Sequence, residues 1–203
     1  MEIRELTVDD IAQAARISVE SFDDYNIVMS KMGEIYLRTV FFSAIVQRQD
    51  TGAMGAFQDG KMLGYYCYML DFHRFHADLQ NKNFFRNVRF TLSAMMRGRL
   101  SIKDLYNVFR AGAWIRRETA HIPVQVGPVA VARDIKGTPT GGMVTFTVVR
   151  AVLKKLQQQG IKACWSTVDL RNPSQHVSTA VGFHEKSRIK LWGIEEALHV
   201  KKF

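Results

Sequence analysis

The sequence has little cysteine and no long apolar run. Only two cysteines occur among the 203 residues, Cys67 and Cys164, and both lie in apolar segments typical of strands. We interpret them as buried thiols, not as a disulfide framework or a metal site, and we expect no bound metal. No uninterrupted apolar run reaches the roughly 18 residues of a membrane span, and residues 1–5 lack the start of a secretion signal. We therefore expect a cytoplasmic protein that does not span a membrane.

Acidic residues are also scarce relative to basic ones. The chain has 19 Asp and Glu against 28 Lys and Arg, a net charge of +9. Most of this excess lies in residues 81–120, which hold nine basic and two acidic residues. A basic surface can attract nucleic acid, a membrane surface or an acidic small molecule. Because the stretch contains no recognised nucleic-acid motif, nucleic acid is the partner that we expect least.

Two common phosphate-binding motifs are absent from the most distinctive stretch, residues 127–143. It contains neither the Walker pattern nor the three spaced glycines of a dinucleotide fingerprint. The stretch nevertheless predicts a strand, a loop rich in Gly, Thr and Pro, and a long helix over 143–159. Glycines at 137, 141 and 142 allow backbone N–H groups to approach a ligand, and the helix start attracts an anion.

This stretch resembles the acyl-CoA pyrophosphate loop of the GNAT acyltransferase superfamily. Val129, Ala130 and Val131 stand at the strand end, and Lys136 and Gly137 stand at the Arg-Gly pair of the family. Pro139 replaces the usual middle glycine and removes one N–H donor, for which a Thr hydroxyl can compensate. The resemblance, which includes the Asn-Pro…Gly-Phe segment 172–183, implies CoA contacts from Val129, Ala130, Val131, Lys136, Gly137, Thr138, Pro139, Thr140, Gly141, Gly142, Asn172 and Ser174.

The remaining patterns predict one GNAT-like domain over 1–203. Its class is α/β, of the α+β kind that has a mixed sheet. We expect a twisted, mostly antiparallel sheet of about six to seven strands, splayed at the CoA site and flanked by helices. Asp59-Gly60 predicts a hairpin between the second and third strands, and 187–192 is the last strand that the patterns identify. Residues 71–120 form a helical insertion after the third strand, broken near 97–99 into two helices. It is either a basic lid or acceptor site, or a helical pair with a solvated basic face.

The catalytic side chains of the GNAT family are not found at the matching positions of this sequence. Gln125 stands where the histone acetyltransferase branch has a Glu base, and Ser178 stands where many GNAT enzymes have a Tyr acid. Gln125 cannot accept a proton, and Ser178 is a poor acid. A backbone N–H near Val131 is the oxyanion donor that the family implies. Other ionisable groups expected near the cleft are Glu118, His121, Asp169 and His176, and the resemblance implies an acceptor amine at Asp23, Asp24 and Tyr25.

The resemblance thus implies an acetyltransferase that moves acetyl from acetyl-CoA to a primary amine by direct attack. The acceptor is a small molecule or a peptide, and the oligomeric state, a homodimer included, stays open. Two alternatives remain. One is a CoA-binding sensor or partner-binding subunit without catalysis, suggested by Gln125 and Ser178. The other is a nucleic-acid binder that uses the basic insertion.

Overall fold

A seven-stranded mixed sheet forms the centre of the computed structural model, which describes residues 1–22, 28–172 and 174–203. The strand order is β1-β2-β3-β4-β5-β7-β6, and every neighbouring pair is antiparallel except β4 and β5. The mixed, mostly antiparallel sheet expected from the sequence is confirmed. Its strands are β1 (Glu2–Glu5), β2 (Thr51–Gln58), β3 (Lys61–Met69), β4 (Gln125–Val131), β5 (Ala163–Asp169), β6 (His184–Leu191) and β7 (Ile194–Lys202).

The helices lie on both faces of this sheet. They are α1 (Ile11–Phe22), α2 (Val28–Lys31), α3 (Glu34–Tyr36), α4 (Ser43–Gln47), α5 (Phe72–Lys82), α6 (Phe84–Met96), α7 (Ile102–Thr119), α8 (Pro139–Gln158) and α9 (Ser174–Ala180). A 3₁₀ turn at Val8–Asp10 precedes α1, and a π-helical segment at Leu37–Phe42 joins α3 to α4. None of the helices in the described residues is both long and apolar enough to cross a membrane.

The β2–β3 hairpin follows the turn that the sequence predicts. Asp59 and Gly60 have φ values of 52° and 76°, the left-handed conformations that a two-residue hairpin turn needs. On the far side of β4, however, the sequence patterns missed β7. That strand contains two adjacent glutamates and does not alternate cleanly, yet it pairs with β5 from Ala163↔Lys202 to Asp169↔Glu196.

Two cores cover the two faces of the sheet. On one face, α1, the 34–47 helical segment and α5 bury Phe41, Phe42 and Phe75 against Tyr65. On the other face, α8 covers the sheet with a valine and leucine stripe that includes Val144, at 0% exposure. A smaller cluster on the first face joins Trp114 of α7 to Trp165 of β5 and Leu198 of β7.

The insertion at 71–120 consists of three helices and not of the two that the sequence predicts. Asn83 ends α5, and α6 begins at the next residue. The predicted break after α6 is present, and α7 begins with a capping box in which Asp104 N–H donates to the Ser101 hydroxyl over 3.1 Å. The Asp104 carboxylate also accepts from Lys31 over 2.9 Å, which ties α7 to the end of α2.

Candidate functional site

The parallel strands β4 and β5 separate almost as soon as they meet. Their register contains a single pair, Gln125↔Trp165, and Trp165 N–H donates to Val124 O over 3.0 Å beside it. From there β4 continues along β3 to Val131, while β5 continues along β7 to Asp169. A wedge-shaped gap therefore opens between the two strands and widens toward their carboxyl ends.

A bulge in β4 determines which backbone groups face this gap. The pairing of β3 with β4 shifts by one residue between Tyr66↔Val129 and Tyr68↔Val126. Beyond the shift, Ala132 N–H donates to Leu63 O on β3. Because backbone groups alternate along a strand, the N–H groups of Val129 and Val131 point away from β3 and into the gap. By the same alternation, Thr167 of β5 faces them, since Trp165 N–H is directed at β4.

Two buried hydroxyl groups lie near the bulge, that of Tyr66 on β3 and that of Ser166 on β5, at 4% and 9% exposure. Burial raises the pKa of the Tyr66 phenol well above its usual value. A Cβ at Gly127 of β4 would be 3.6 Å from Ser166 Oγ. The narrow end of the gap is thus lined by neutral polar side chains.

The loop after β4 leads into the first turn of α8 at the wide end of the gap. Thr138 caps the helix: Gly141 N–H donates to its hydroxyl over 3.2 Å, and Gly142 N–H donates to its carbonyl over 3.0 Å. Within the described part of the chain, no hydrogen bond takes up the N–H of Gly137 or Thr140. These two donors and the positive end of the helix dipole make the start of α8 suited to an anion.

Lys136, the cation of the predicted loop, is anchored to α1. Its ammonium donates to Ser21 O over 2.8 Å, at the carbonyl end of that helix, where a positive charge is favourable. On the α1 side of the same loop, Arg16 and Arg133 line a cavity of about 470 Å³. Two arginines thus lie on the α1 side of the loop, in a cavity that Glu20 and Asp134 also line.

The two consecutive glycines at the start of α8 have different surroundings. A Cβ on Gly141 would lie 2.2 Å from Ile135 O, whereas a Cβ on Gly142 meets nothing within 4 Å. Gly141→Ala should therefore lower the free energy of unfolding by about 1–3 kcal/mol. Gly142→Ala should leave it unchanged or raise it by about 0.5–1 kcal/mol. Urea unfolding of both variants measures this difference, and equal stabilities would contradict the close approach at Gly141.

Ser178 of α9 contacts a buried histidine that the sequence analysis did not identify. Its hydroxyl lies 3.0 Å from Nδ1 of His199 on β7, a residue only 5% exposed. Burial lowers the pKa of His199, so its imidazole is neutral at physiological pH. His199 also pairs with Ser166 in the β5–β7 register. Ser178 therefore belongs to a polar group next to β5, where a proton can pass between hydroxyl and imidazole.

A pair of carboxylates lies on the opposite face of the sheet. Asp169 of β5 and Glu196 of β7 are register partners, and Glu196 shares the face of Leu198, which packs on Trp114 of α7. Arg171 donates to both carboxylate oxygens of Asp169, over 3.1 and 2.7 Å. Burial, and secondarily the nearby Asp169, raises the pKa of Glu196 to about 7. Glu196 can therefore gain or lose a proton near neutral pH.

Solved structures share this architecture. The chain is similar to a ribosomal-protein-alanine N-acetyltransferase from Brucella melitensis, with 14% identity, 100% of both chains covered and a TM-score of 0.66. It is also similar to the PaiA N-acetyltransferase from Thermoplasma acidophilum in complex with coenzyme A, with 14% identity, coverage of 100% and 98%, and a TM-score of 0.58. The chain has the GNAT fold. No family model and no curated protein matches the sequence.

The structure places the predicted CoA residues on β4, in the loop and first turn of α8, and after β5. Residues 129–131 and 137–142 lie along β4 and at the start of α8. Asn172 lies in the turn after β5, where its N–H donates to Asp169 O over 2.9 Å, and Ser174 opens α9. The predicted acceptor site at Asp23, Asp24 and Tyr25 falls outside the described residues.

The candidate catalytic residues that the sequence predicts lie in different parts of the structure. Gln125 lies at the narrow end of the gap, and Ser178 lies beside β7. Glu118 lies at the end of α7, where it pairs with Arg117 over 3.0 Å, while His121 and His176 are exposed. No cluster of three or more His, Cys, Asp or Glu side chains that could hold a metal ion occurs in the parts of the chain described here.

Four residues of the site were not identified from the sequence: Tyr66, Ser166, Glu196 and His199. Tyr66 and Ser166 lie within apolar strand segments, where the sequence does not show that a hydroxyl will line the gap. Glu196 and His199 lie on β7, which was not predicted. A longer search for a strand after the 192–193 turn could have found the last two, since Gly193 has a φ of 80° and closes a tight hairpin.

Proposed function

We propose that this chain is an N-acyltransferase that binds acetyl-CoA in the gap between β4 and β5 and transfers the acetyl group to a primary amine. The observation that carries the proposal is the separation of β4 from β5 after one residue pair, with the start of α8 at the open end. The GNAT fold of the solved N-acetyltransferases supports it.

The walls of the gap suit the pantetheine arm of CoA. The arm contains two amides, and Val129, Val131 and Thr167 turn backbone groups toward it from either side. An extended amide chain can pair with such groups as an added strand does. The buried Tyr66 phenol, whose pKa is raised by burial, stays neutral and adds no charge to this wall.

The wide end of the gap suits the diphosphate. Gly137 and Thr140 supply N–H groups at the start of α8, and the helix dipole favours a negative charge there. Gly142 adds room, because no atom lies within 4 Å of the position that a Cβ would take. We assign the diphosphate to this turn. Lys136 is not its main cation in this assignment, because its ammonium donates to Ser21 O.

The chain's own groups can then assist a direct attack of the amine. Acetyl-CoA supplies the thioester. Glu196, with its pKa near 7, takes a proton from the acceptor ammonium, directly or through a water, and the neutral amine then attacks the thioester carbonyl. The N–H of Val131 stabilises the oxyanion. Ser178, in contact with His199 over 3.0 Å, donates a hydrogen bond to the sulfur that leaves.

The acceptor is expected to be a small-molecule or peptide amine. Two of the structural neighbours, from Brucella melitensis and Escherichia coli, are ribosomal-protein-alanine N-acetyltransferases. A peptide with an N-terminal alanine therefore belongs in the acceptor set, together with lysine peptides and polyamines.

A transfer assay tests the proposal. The purified chain is incubated with acetyl-CoA and each amine, and both released thiol and acetylated product are measured. We expect thiol and product in equal amounts for at least one amine. If the chain binds CoA but none of the amines is acetylated, the result would contradict an enzymatic function. It would favour a CoA-binding sensor, the alternative that Gln125 and Ser178 suggest.

A further inference from the structure

Helices α6 and α7 present large apolar side chains to solvent. Phe85 is 86% exposed, Met96 83%, and Ile102 and Phe109 77% each. The exposed residues recur every three or four positions, so they form a continuous ridge on each helix. We call the whole set the apolar stripe; its members are Phe84, Phe85, Val88, Leu92, Met96, Ile102, Leu105, Tyr106, Val108 and Phe109.

The apolar stripe does not belong to the hydrophobic clusters of the fold. The inner side of α6 packs through other residues, such as Phe90, whose ring meets Tyr36 at 5.5 Å, and Ala94, at 4% exposure. In the first two turns of α7 the polarity is inverted, because the buried side there carries Asp104 and Asn107 at 6% and 4% exposure. Apolar ridges of this extent on a protein surface mark interaction sites.

The charge around the apolar stripe has one sign. Residues 81–120 contain nine basic side chains, all exposed: Lys82, Arg86, Arg89, Arg97, Arg99, Lys103, Arg110, Arg116 and Arg117. Within the described residues, only Arg117 of these forms an ion pair. The two acidic residues of the segment are turned inward or paired, Asp104 with Lys31 and Glu118 with Arg117 and Lys186.

We propose that α6 and α7 dock on the surface of a membrane that contains anionic phospholipids. Apolar ridges flanked by Lys and Arg are the signature of helices that lie in the interface of a bilayer, with aromatic and aliphatic side chains at the acyl boundary. The unpaired cations then contact the anionic headgroups. The segment enters the bilayer only to the depth of its side chains.

The same features weigh against two other occupants. A second copy that docks symmetrically, with α6 and α7 against α6 and α7, would set nine exposed cations against nine more. Nucleic acid would satisfy the cations, but phosphate contacts require no exposed ridge of Phe, Leu, Ile and Met. This inference goes beyond the proposed acyl transfer and does not depend on it.

Vesicle sedimentation tests the docking. The full chain is mixed with vesicles of phosphatidylcholine alone and with vesicles in which about a third of the lipid is phosphatidylglycerol. We expect at least about tenfold tighter binding to the anionic vesicles, falling as salt is raised. The double variant Phe85→Ser/Phe109→Ser should bind at least about tenfold more weakly than the wild type, and Arg86→Glu/Arg89→Glu should lose the preference for anionic lipid.

Two control variants keep the test specific. Val8→Ser removes an apolar side chain that is 61% exposed outside the insertion, and Lys154→Glu reverses an exposed charge on α8. Both should bind vesicles as the wild type does. No binding to either vesicle, or equal losses in test and control variants, would overturn the proposal. So would a wild-type dimer that Phe85→Ser dissociates, or nucleic-acid binding that is tighter than vesicle binding and insensitive to Phe85→Ser/Phe109→Ser.

Discussion

Gly142→Glu should weaken the binding of CoA and acetyl-CoA by about 100-fold or more. Two like charges about 4 Å apart repel each other by roughly 4 kcal/mol near a protein surface, before screening by salt. The substitution places a carboxylate on the first turn of α8, where we assign the diphosphate. The protein itself should tolerate it, because the Cβ meets nothing within 4 Å and an acidic side chain is favourable at a helix start.

Isothermal titration of CoA into the wild type and the variant measures this loss. Gly142→Gln is the matched neutral control and should bind within about tenfold of the wild type, since it adds bulk without charge. Gly112→Glu places the same carboxylate in α7, where a Cβ also has open space, and should bind normally. Undiminished binding by Gly142→Glu would show that the diphosphate lies elsewhere.

Glu196→Gln should lower kcat/KM for amine acetylation by about 10²–10⁴-fold, the usual contribution of a positioned general base. A base acts in its deprotonated form. Because burial and Asp169 raise the pKa of Glu196 to about 7, the wild-type rate should rise with pH through about 7, and the variant should lose that rise. Initial rates between pH 5.5 and 9 measure both effects. A variant with wild-type rates and an unchanged profile would remove Glu196 from the mechanism.

The same substitution should stabilise the fold at high pH. An unfolded Glu ionises near pH 4.3 and Glu196 ionises near 7, so the folded state holds the extra proton between these values. The contribution of the neutral carboxyl is fully present below about pH 4 and is lost as pH rises to 7. Glu196→Gln should therefore be more stable than the wild type by about 1–3 kcal/mol at pH 8, and less so at pH 5. Urea unfolding of both proteins at pH 5 and pH 8 measures this difference. A variant that is less stable than the wild type at pH 8 would show that the fold does not disfavour the charged form of Glu196.

The sequence was sufficient to predict the central part of the fold because its signals there are local. Asp59-Gly60 determines a hairpin through its own backbone preferences, and Thr138, Gly141 and Gly142 mark a helix start. The signal for β7 is not local. Its glutamates interrupt the alternation, and its pairing with β5 depends on residues 27 to 39 positions away. A strand of this kind is formed by tertiary context and not by propensity.

The same contrast holds for the site. The loop that we propose for the diphosphate could be predicted because glycine positions encode backbone shape, but the direction of Lys136 toward Ser21 follows from how α1 packs against the loop. The pairing of Ser178 with His199 and of Asp169 with Glu196 requires the strand register. For this reason the sequence left Gln125 and Ser178 without partners, whereas the structure shows a carboxylate and an imidazole close to β5.

Amide hydrogen exchange with and without CoA tests the central claim most directly, because it reports on the two walls of the gap separately. The account predicts that saturating CoA slows exchange at residues 129–131 of β4, at Thr167 of β5 and at residues 137–142, and leaves α6 and α7 unchanged. Protection confined to another surface, or none at concentrations where CoA binds, would contradict the assignment of the gap between β4 and β5 as the acyl-CoA site.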